Sequence, residues 1–207
     1  MSQLTVNNLA CVRGDRLLFK NMSFALSAGE LLYVRGENGA GKSSLLRILS
    51  GMLIPEQGSV LWDGRDVING NEQYRLDSLF ISHLNGLKDD LTLVENLRFS
   101  SYLATQSSQA SQISDALGAV KLEAYAHERV GSLSQGQRRR ISLARLWLSR
   151  ARLWLLDEPF SALDVASVDL LAKRLQQHLQ DGGMAILTTH QHVDIQAAVV
   201  HELKIAR

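Results

Sequence analysis

The nine residues GENGAGKSS, Gly36 to Ser44, constrain this chain more than any other stretch. They satisfy G-x-x-x-x-G-K-[ST], with the apolar run ELLYVR before them and the periodic run SLLRIL after them. Strand, tight glycine turn and helix is the context in which such a loop cradles phosphate. Glycine lets successive backbone N–H groups turn inward, and the helix start adds the positive end of its dipole. The binding set is therefore Gly36, Glu37, Asn38, Gly39, Ala40, Gly41, Lys42, Ser43 and Ser44. Lys42 is placed to reach the β- and γ-phosphates of a nucleoside triphosphate, and Ser43 to ligand Mg²⁺.

The acid comes later. LWLL, Leu153 to Leu156, is uninterrupted and apolar, as a parallel strand covered on both faces requires, and it runs into Asp157 and Glu158. A carboxylate at the C-terminal edge of the sheet, Asp157, belongs beside the metal, and Glu158 suits a general base that orients water. MAILTT, Met184 to Thr189, reads as the next strand and delivers His190, whose imidazole can donate to a γ-phosphate at neutral pH. His192, two residues on, reads as an exposed loop histidine. Val168, Leu171, Ala172, Leu175 and Leu179 recur at helical spacing before a Gly182-Gly183 stop. Strands alternating with helices predict a parallel α/β sheet.

Between Asn85 and Gly131 the pattern changes. LTLVENLRFSSYL opens with a capping box, Thr92 to Glu95, TQSSQASQ reads as a loop, and ISDALGAVKLEAYA as a further helix. The expected result is a small helical lobe inserted into the sheet domain. The C-terminal QAAVVHELKIAR fits a short helix or a terminal strand. Charge is balanced, 22 Lys+Arg against 21 Asp+Glu, which argues against a dedicated nucleic-acid binder. The run Arg138-Arg139-Arg140 is expected on a solvated helix face. The single cysteine, Cys11, reads as a half-buried hydrophobe of the first strand. Neither a secretory leader nor an apolar run long enough to cross a bilayer is visible.

LSQGQ, Leu133 to Gln137, is a second phosphate-facing element. Ser134 and Gln137 form an S-x-x-Q capping box, so a helix begins there with donors at its start, and Gly136 permits close approach of another surface. The order of GENGAGKSS, LSQGQ, LWLLDEP, SALD and His190 resembles the nucleotide-binding domain of ABC transporters over the whole chain. The resemblance implies an α/β P-loop NTPase of the ABC ATPase type: one domain, 1–207, with a mainly parallel core, N-terminal antiparallel strands and a helical subdomain over roughly 85–150. It implies Mg²⁺-dependent ATP hydrolysis by a head-to-tail homodimer. Each ATP then lies between one protomer's phosphate loop and Leu133, Ser134, Gln135, Gly136 and Gln137 of the other, with Asp164 at the dimer seam.

Two positions depart from the family pattern. Where an aromatic residue usually stacks on adenine stands Arg13, whose guanidinium can stack or stay a surface charge. Where a glutamine usually contacts Mg²⁺ and water stands His83, followed by Leu84, with His83 either a substitute donor or a neutral loop residue. LSQGQRRRISLARLWLSRARLWLLDEPFSALD with LTTHQ is similar to the ATP-binding subunits of bacterial cytochrome c maturation systems, the haem exporter ATPases. That similarity implies integral membrane partners, a peripheral place on the cytoplasmic face of the inner membrane, and ATP-driven release of a haem-loaded chaperone. Direct haem binding is not expected, as C-x-x-C-H is absent from the sequence. Another small-solute ABC transporter subunit, a soluble ABC ATPase and a nucleotide-gated module with little turnover remain the alternatives.

Overall fold

The computed structural model describes residues 2–68, 71–104, 108–191 and 193–205. Two sheets organise it. The first is antiparallel and contains β1 (Gln3–Arg13), β2 (Arg16–Ser27), β4 (Gln57–Trp62) and β5 (Arg65–Asp66) in the order β2-β1-β4-β5. Gly14-Asp15 turns the β1–β2 hairpin between the paired Arg13 and Arg16. Asp63 and Gly64, both at positive φ, turn the β4–β5 hairpin, the chemistry that two-residue hairpins favour.

The second sheet is wholly parallel, in the order β6-β7-β8-β3-β9: β3 (Glu30–Arg35), β6 (Ser78–Ile81), β7 (Leu153–Asp157), β8 (Met184–Thr188) and β9 (Val199–Lys204). The ambiguous C-terminal segment is thus a strand on the sheet edge. Every residue of β7 and β8 is buried, as the unbroken apolar runs require. The period of two divides β7 between two cores. Leu153 and Leu155 join the antiparallel sheet and α1 (Lys42–Leu49), while Trp154 and Leu156 meet α5 (Gln135–Leu148) and α6 (Val165–Gln180).

A third core is helical. α3 (Leu93–Leu103) supplies Leu93 and Leu97, α4 (Ala110–Ala119) supplies Ile113 and Leu117, and α5 supplies Ile141 and Ala144. The Thr92–Glu95 box forms as read. Buried Asn96 binds the loop before it, accepting from Lys88 N–H at 2.8 Å and donating to the carbonyls of Lys88, Leu91 and Thr92. α2 (Glu72–Asp77) leads into β6.

Three local expectations change. ISDALGAVKLEAYA is not one helix: α4 stops at Ala119, Lys121 turns left-handed at φ 57°, and a short 3₁₀ turn follows over Glu123–Tyr125. Cys11 is fully rather than half buried, and burial raises its thiol pKa. The arginine run is not a solvated face. Arg138 pairs with Asp89 at 3.0 Å, Arg139 is 2% exposed, and Arg140 donates to the carbonyl of Val120 at 3.1 Å. Parts of the polar loop (105–107) and His192 lie outside the described residues.

His178 on α6 stacks on Trp154 with ring centroids 3.7 Å apart and planes 3° from parallel, its Nε2 3.1 Å from the Met184 carbonyl. Burial pushes its pKa down from 6.5 to about 4. The unfolded imidazole takes up its proton below pH 6.5 while the folded one resists to about 4, so acid favours unfolding in that window. Chemical denaturation at pH 7 and pH 4 should show His178→Phe losing about 3 kcal/mol less stability than the parent chain.

Candidate active site

The site forms where β3, β7 and β8 end at the same edge of the parallel sheet. From β3 the chain turns through Gly36–Gly41 into α1, which no side chain caps. Gly41 sits at φ 111°, and a Cβ there would stand 3.1 Å from the Leu18 Cβ and 3.2 Å from the Phe19 ring. Only glycine combines that left-handed backbone with that contact. Lys42 is 7% exposed. Its ammonium donates to the carbonyls of Gly36 at 2.8 Å and Glu37 at 3.2 Å.

His190 joins the loop to the strand ends. Its Nε2 lies 3.2 Å from Lys42 Nζ, 3.1 Å from Asn38 Oδ1 and 3.4 Å from Glu158 Oε1. One tautomer accepts from Lys42 at that nitrogen, and the other donates to Asn38 or Glu158. Asp157 is 4% exposed and accepts the Thr188 hydroxyl at Oδ1, 2.8 Å away. The same hydroxyl oxygen accepts the Glu158 N–H at 2.8 Å. Glu158 itself stands at φ 48°, an uncommon place for a non-glycine residue and typical of strain held at functional sites. Its carbonyl is gripped by the Ser161 hydroxyl at 2.9 Å and the Arg139 guanidinium at 2.7 Å.

Lys42, Asn38, Asp157, Glu158 and His190 line one open cleft of about 740 Å³ with Arg13, Ser43, Ser44, Arg47, Ser82, His83 and Leu84. Arg13, at the end of β1, and His83 are both exposed at its wall, so both departures from the family pattern face the cleft. Among the described residues no group of three His, Cys, Asp or Glu could hold a metal ion. Asp157 and Ser43 share this cleft, and one carboxylate plus a hydroxyl fits Mg²⁺, which takes its remaining ligands from water and substrate phosphates.

Leu133 to Gln137 do not line the cleft of their own chain. Ser134 caps α5 through the reciprocal box with Gln137, at 3.2 Å and 2.9 Å. Gly136 does meet a close surface, and it belongs to the same chain: a Cβ there would stand 3.2 Å from the Ala162 carbonyl. Asp164 caps α6 by accepting from Ser167 N–H at 2.8 Å, and hydrogen bonds from the Ser167 side chain and from that N–H hold its carboxyl below the usual pKa.

A family model described as ABC transporter matches residues 19–161. The chain belongs to the ABC transporter family. It is 46% identical to the cytochrome c biogenesis ATP-binding export protein CcmA of Nitrosomonas europaea, over 100% of this chain and 97% of that one. It is 48% identical to the protein of the same name from Dechloromonas aromatica, over 98% and 99%. A solved dimeric ATP-binding cassette in a post-hydrolysis state with ADP and phosphate shares the fold at TM-score 0.81 and 22% identity, over 91% of this chain and 88% of that one. The fold reading therefore holds: ABC-type, with a parallel core, antiparallel N-terminal strands and an inserted helical unit.

Sequence reading missed Thr188 and Arg139. A signal existed for each. Thr188 is a polar residue in an otherwise apolar buried strand, and Arg139 lies four and seven residues before Leu143 and Leu146, on the core-facing stripe of α5. Thr188→Val keeps the volume but leaves the Asp157 carboxylate and the Glu158 N–H short of a partner, each worth about 1–3 kcal/mol. Steady-state ATPase assays should show kcat reduced about tenfold or more, with ATP affinity nearly unchanged.

Proposed function

We propose that this chain is the ATP-hydrolysing subunit of a membrane complex for cytochrome c biogenesis, acting as a head-to-tail homodimer on the cytoplasmic face of the inner membrane. The observation that carries the enzymatic part is the meeting of Lys42, Asn38 and Glu158 around one nitrogen of His190. Attack of water on a γ-phosphoryl group needs a cation on the phosphate, a base on the water and a donor that senses both. The cation, Lys42, and the base, Glu158, both stand within 3.4 Å of the donor atom, His190 Nε2.

In this reading the Gly36–Ser44 backbone and Lys42 bind the β- and γ-phosphates, and Ser43 with Asp157 hold Mg²⁺, which neutralises charge on the phosphates when bound. Thr188 orients the Asp157 carboxylate. Glu158 accepts the proton of the attacking water, His190 donates to the γ-phosphate, and His83 adds a further donor from the cleft wall. Oxygen–phosphorus bond formation at the γ-phosphorus then accompanies departure of ADP. Arg13, exposed in the cleft wall, stacks on the base.

Leu133, Ser134, Gln135, Gly136 and Gln137 act in trans. Their place away from their own cleft supports this, as does the solved dimer of the same fold. Ser134 and the first turn of α5 offer an uncharged cap to the partner's γ-phosphate. Asp164 and the exposed Val165 beside it form the seam. Full-length identity to two CcmA proteins supports the cytochrome c assignment, with integral membrane subunits as partners. No helix of the described structure is long and apolar enough to cross a membrane, so attachment rests on those subunits.

Glu158→Gln should abolish Mg²⁺-dependent phosphate release while ATP still binds and gathers the chain into dimers, read by size-exclusion with light scattering. A variant that stays monomeric at saturating ATP and Mg²⁺ contradicts the shared site. Affinity capture of tagged Glu158→Gln chain from solubilised host membranes should recover small multi-span cytochrome c maturation proteins. Recovery of a different permease would discard that assignment and keep the ATPase.

A further inference from the structure

His83 reaches the cleft on the short loop Ser82 to Asn85, and both ends of that loop are fastened to α5. Arg139 Nη1 donates to the Ser82 carbonyl at 3.0 Å and to Asn85 Oδ1 at 3.2 Å. Less than one turn along the same face, the fully buried Ser142 donates its hydroxyl to the Asn85 carbonyl at 2.9 Å. The second nitrogen of the same guanidinium, Nη2, donates to the carbonyls of Asp157 at 2.9 Å and Glu158 at 2.7 Å. One side chain thus ties the helix that begins at Ser134 to the backbone of Glu158 and to the loop that carries His83.

The placement is costly for a merely structural residue. Arg139 is 2% exposed, all four acceptors are neutral oxygens, and its Nε is buried without a hydrogen-bond partner. A hydrocarbon side chain would fill such a place without desolvating a charge. What a hydrocarbon or a lysine cannot do is bridge two acceptor pairs from one rigid plane. The bridge matters because Glu158 stands in a left-handed conformation, and an uncommon backbone of that kind persists only where its surroundings over-determine it.

We propose that Arg139 is a positioning residue for hydrolysis, its planar fork holding Glu158 and the His83 loop in one fixed relation to the helix headed by Ser134. A load on Leu133–Gln137 then reaches the general base and the His83 loop together. The inference rests on the ATPase reading of the cleft.

The test compares full-length wild type, Arg139→Lys and Ser142→Ala in three measurements: phosphate release against ATP concentration, equilibrium ATP binding, and thermal unfolding. Arg139→Lys keeps the charge and loses the fork. It should lower kcat about tenfold or more while KM and ATP affinity stay within about threefold of wild type. Unchanged kcat overturns the proposal, and so does a parallel loss of kcat and ATP binding, which is what a smaller folded fraction produces. Should Arg139→Lys fail to fold, Ser142→Ala decides. It removes one fastening of the loop and is expected to slow kcat about threefold at unchanged affinity, with a wild-type kcat counting against the proposal. A wild type no faster than Glu158→Gln would overturn the ATPase reading and this inference with it. A fast wild type beside a fast Arg139→Lys overturns the role of Arg139 alone.

Discussion

The structure depends most on the pairing of β7 with β8, where Asp157 stands opposite Thr188. Two carboxylates follow one another at the end of a strand with no exposed residue. Burying Asp157 without a donor would be prohibitive, and the Thr188 hydroxyl supplies one. The same oxygen then takes the N–H of Glu158, so that a single side chain holds the Asp157 carboxylate and fixes the start of the turn at Glu158. Neighbouring strands thus give two covalently adjacent carboxylates different surroundings, one buried and one partly exposed.

Around this joint the molecule places its polar groups with unusual economy. β7 sends alternate residues into two apolar cores, and α5 contributes to both the sheet core and the helical core. Its buried Arg139 is directed at carbonyls rather than at a carboxylate. Burial lowers its pKa, while Asp157 and Glu158 oppose that shift, so the guanidinium also balances the negative end of β7. Packing and site electrostatics are therefore the same problem here, solved by the same helix.

Much of this was legible in the sequence. The phosphate loop, the apolar strands and the capping boxes are local rules, and each formed where its residues stand: Thr92 with Glu95, Ser134 with Gln137, the Gly182 stop. What escaped reading was set by distant partners. Arg139 looks like one member of a charged run until the carbonyls of Ser82, Asp157 and Glu158 arrive from other elements to receive it. The helix expected through Val120 breaks because Lys121 turns left-handed, and the carbonyls of Val120 and Lys121 then face Arg140, 20 and 19 residues further along the chain. The C-terminal segment became a strand only because β3 offers it an edge. Composition has no term for an edge.

Lys42 shows what such order means for a ligand. In this structure its ammonium is already drawn down to the carbonyls of Gly36 and Glu37, among buried surroundings. Lysine carries about 2 kcal/mol of rotamer freedom. Here that freedom is surrendered when the chain folds and drops out of the binding equilibrium. In the proposed role of Lys42, an arriving phosphate exchanges places with two carbonyl oxygens instead of immobilising a free arm, so its affinity is governed by the competition between phosphate and backbone for one set of three protons.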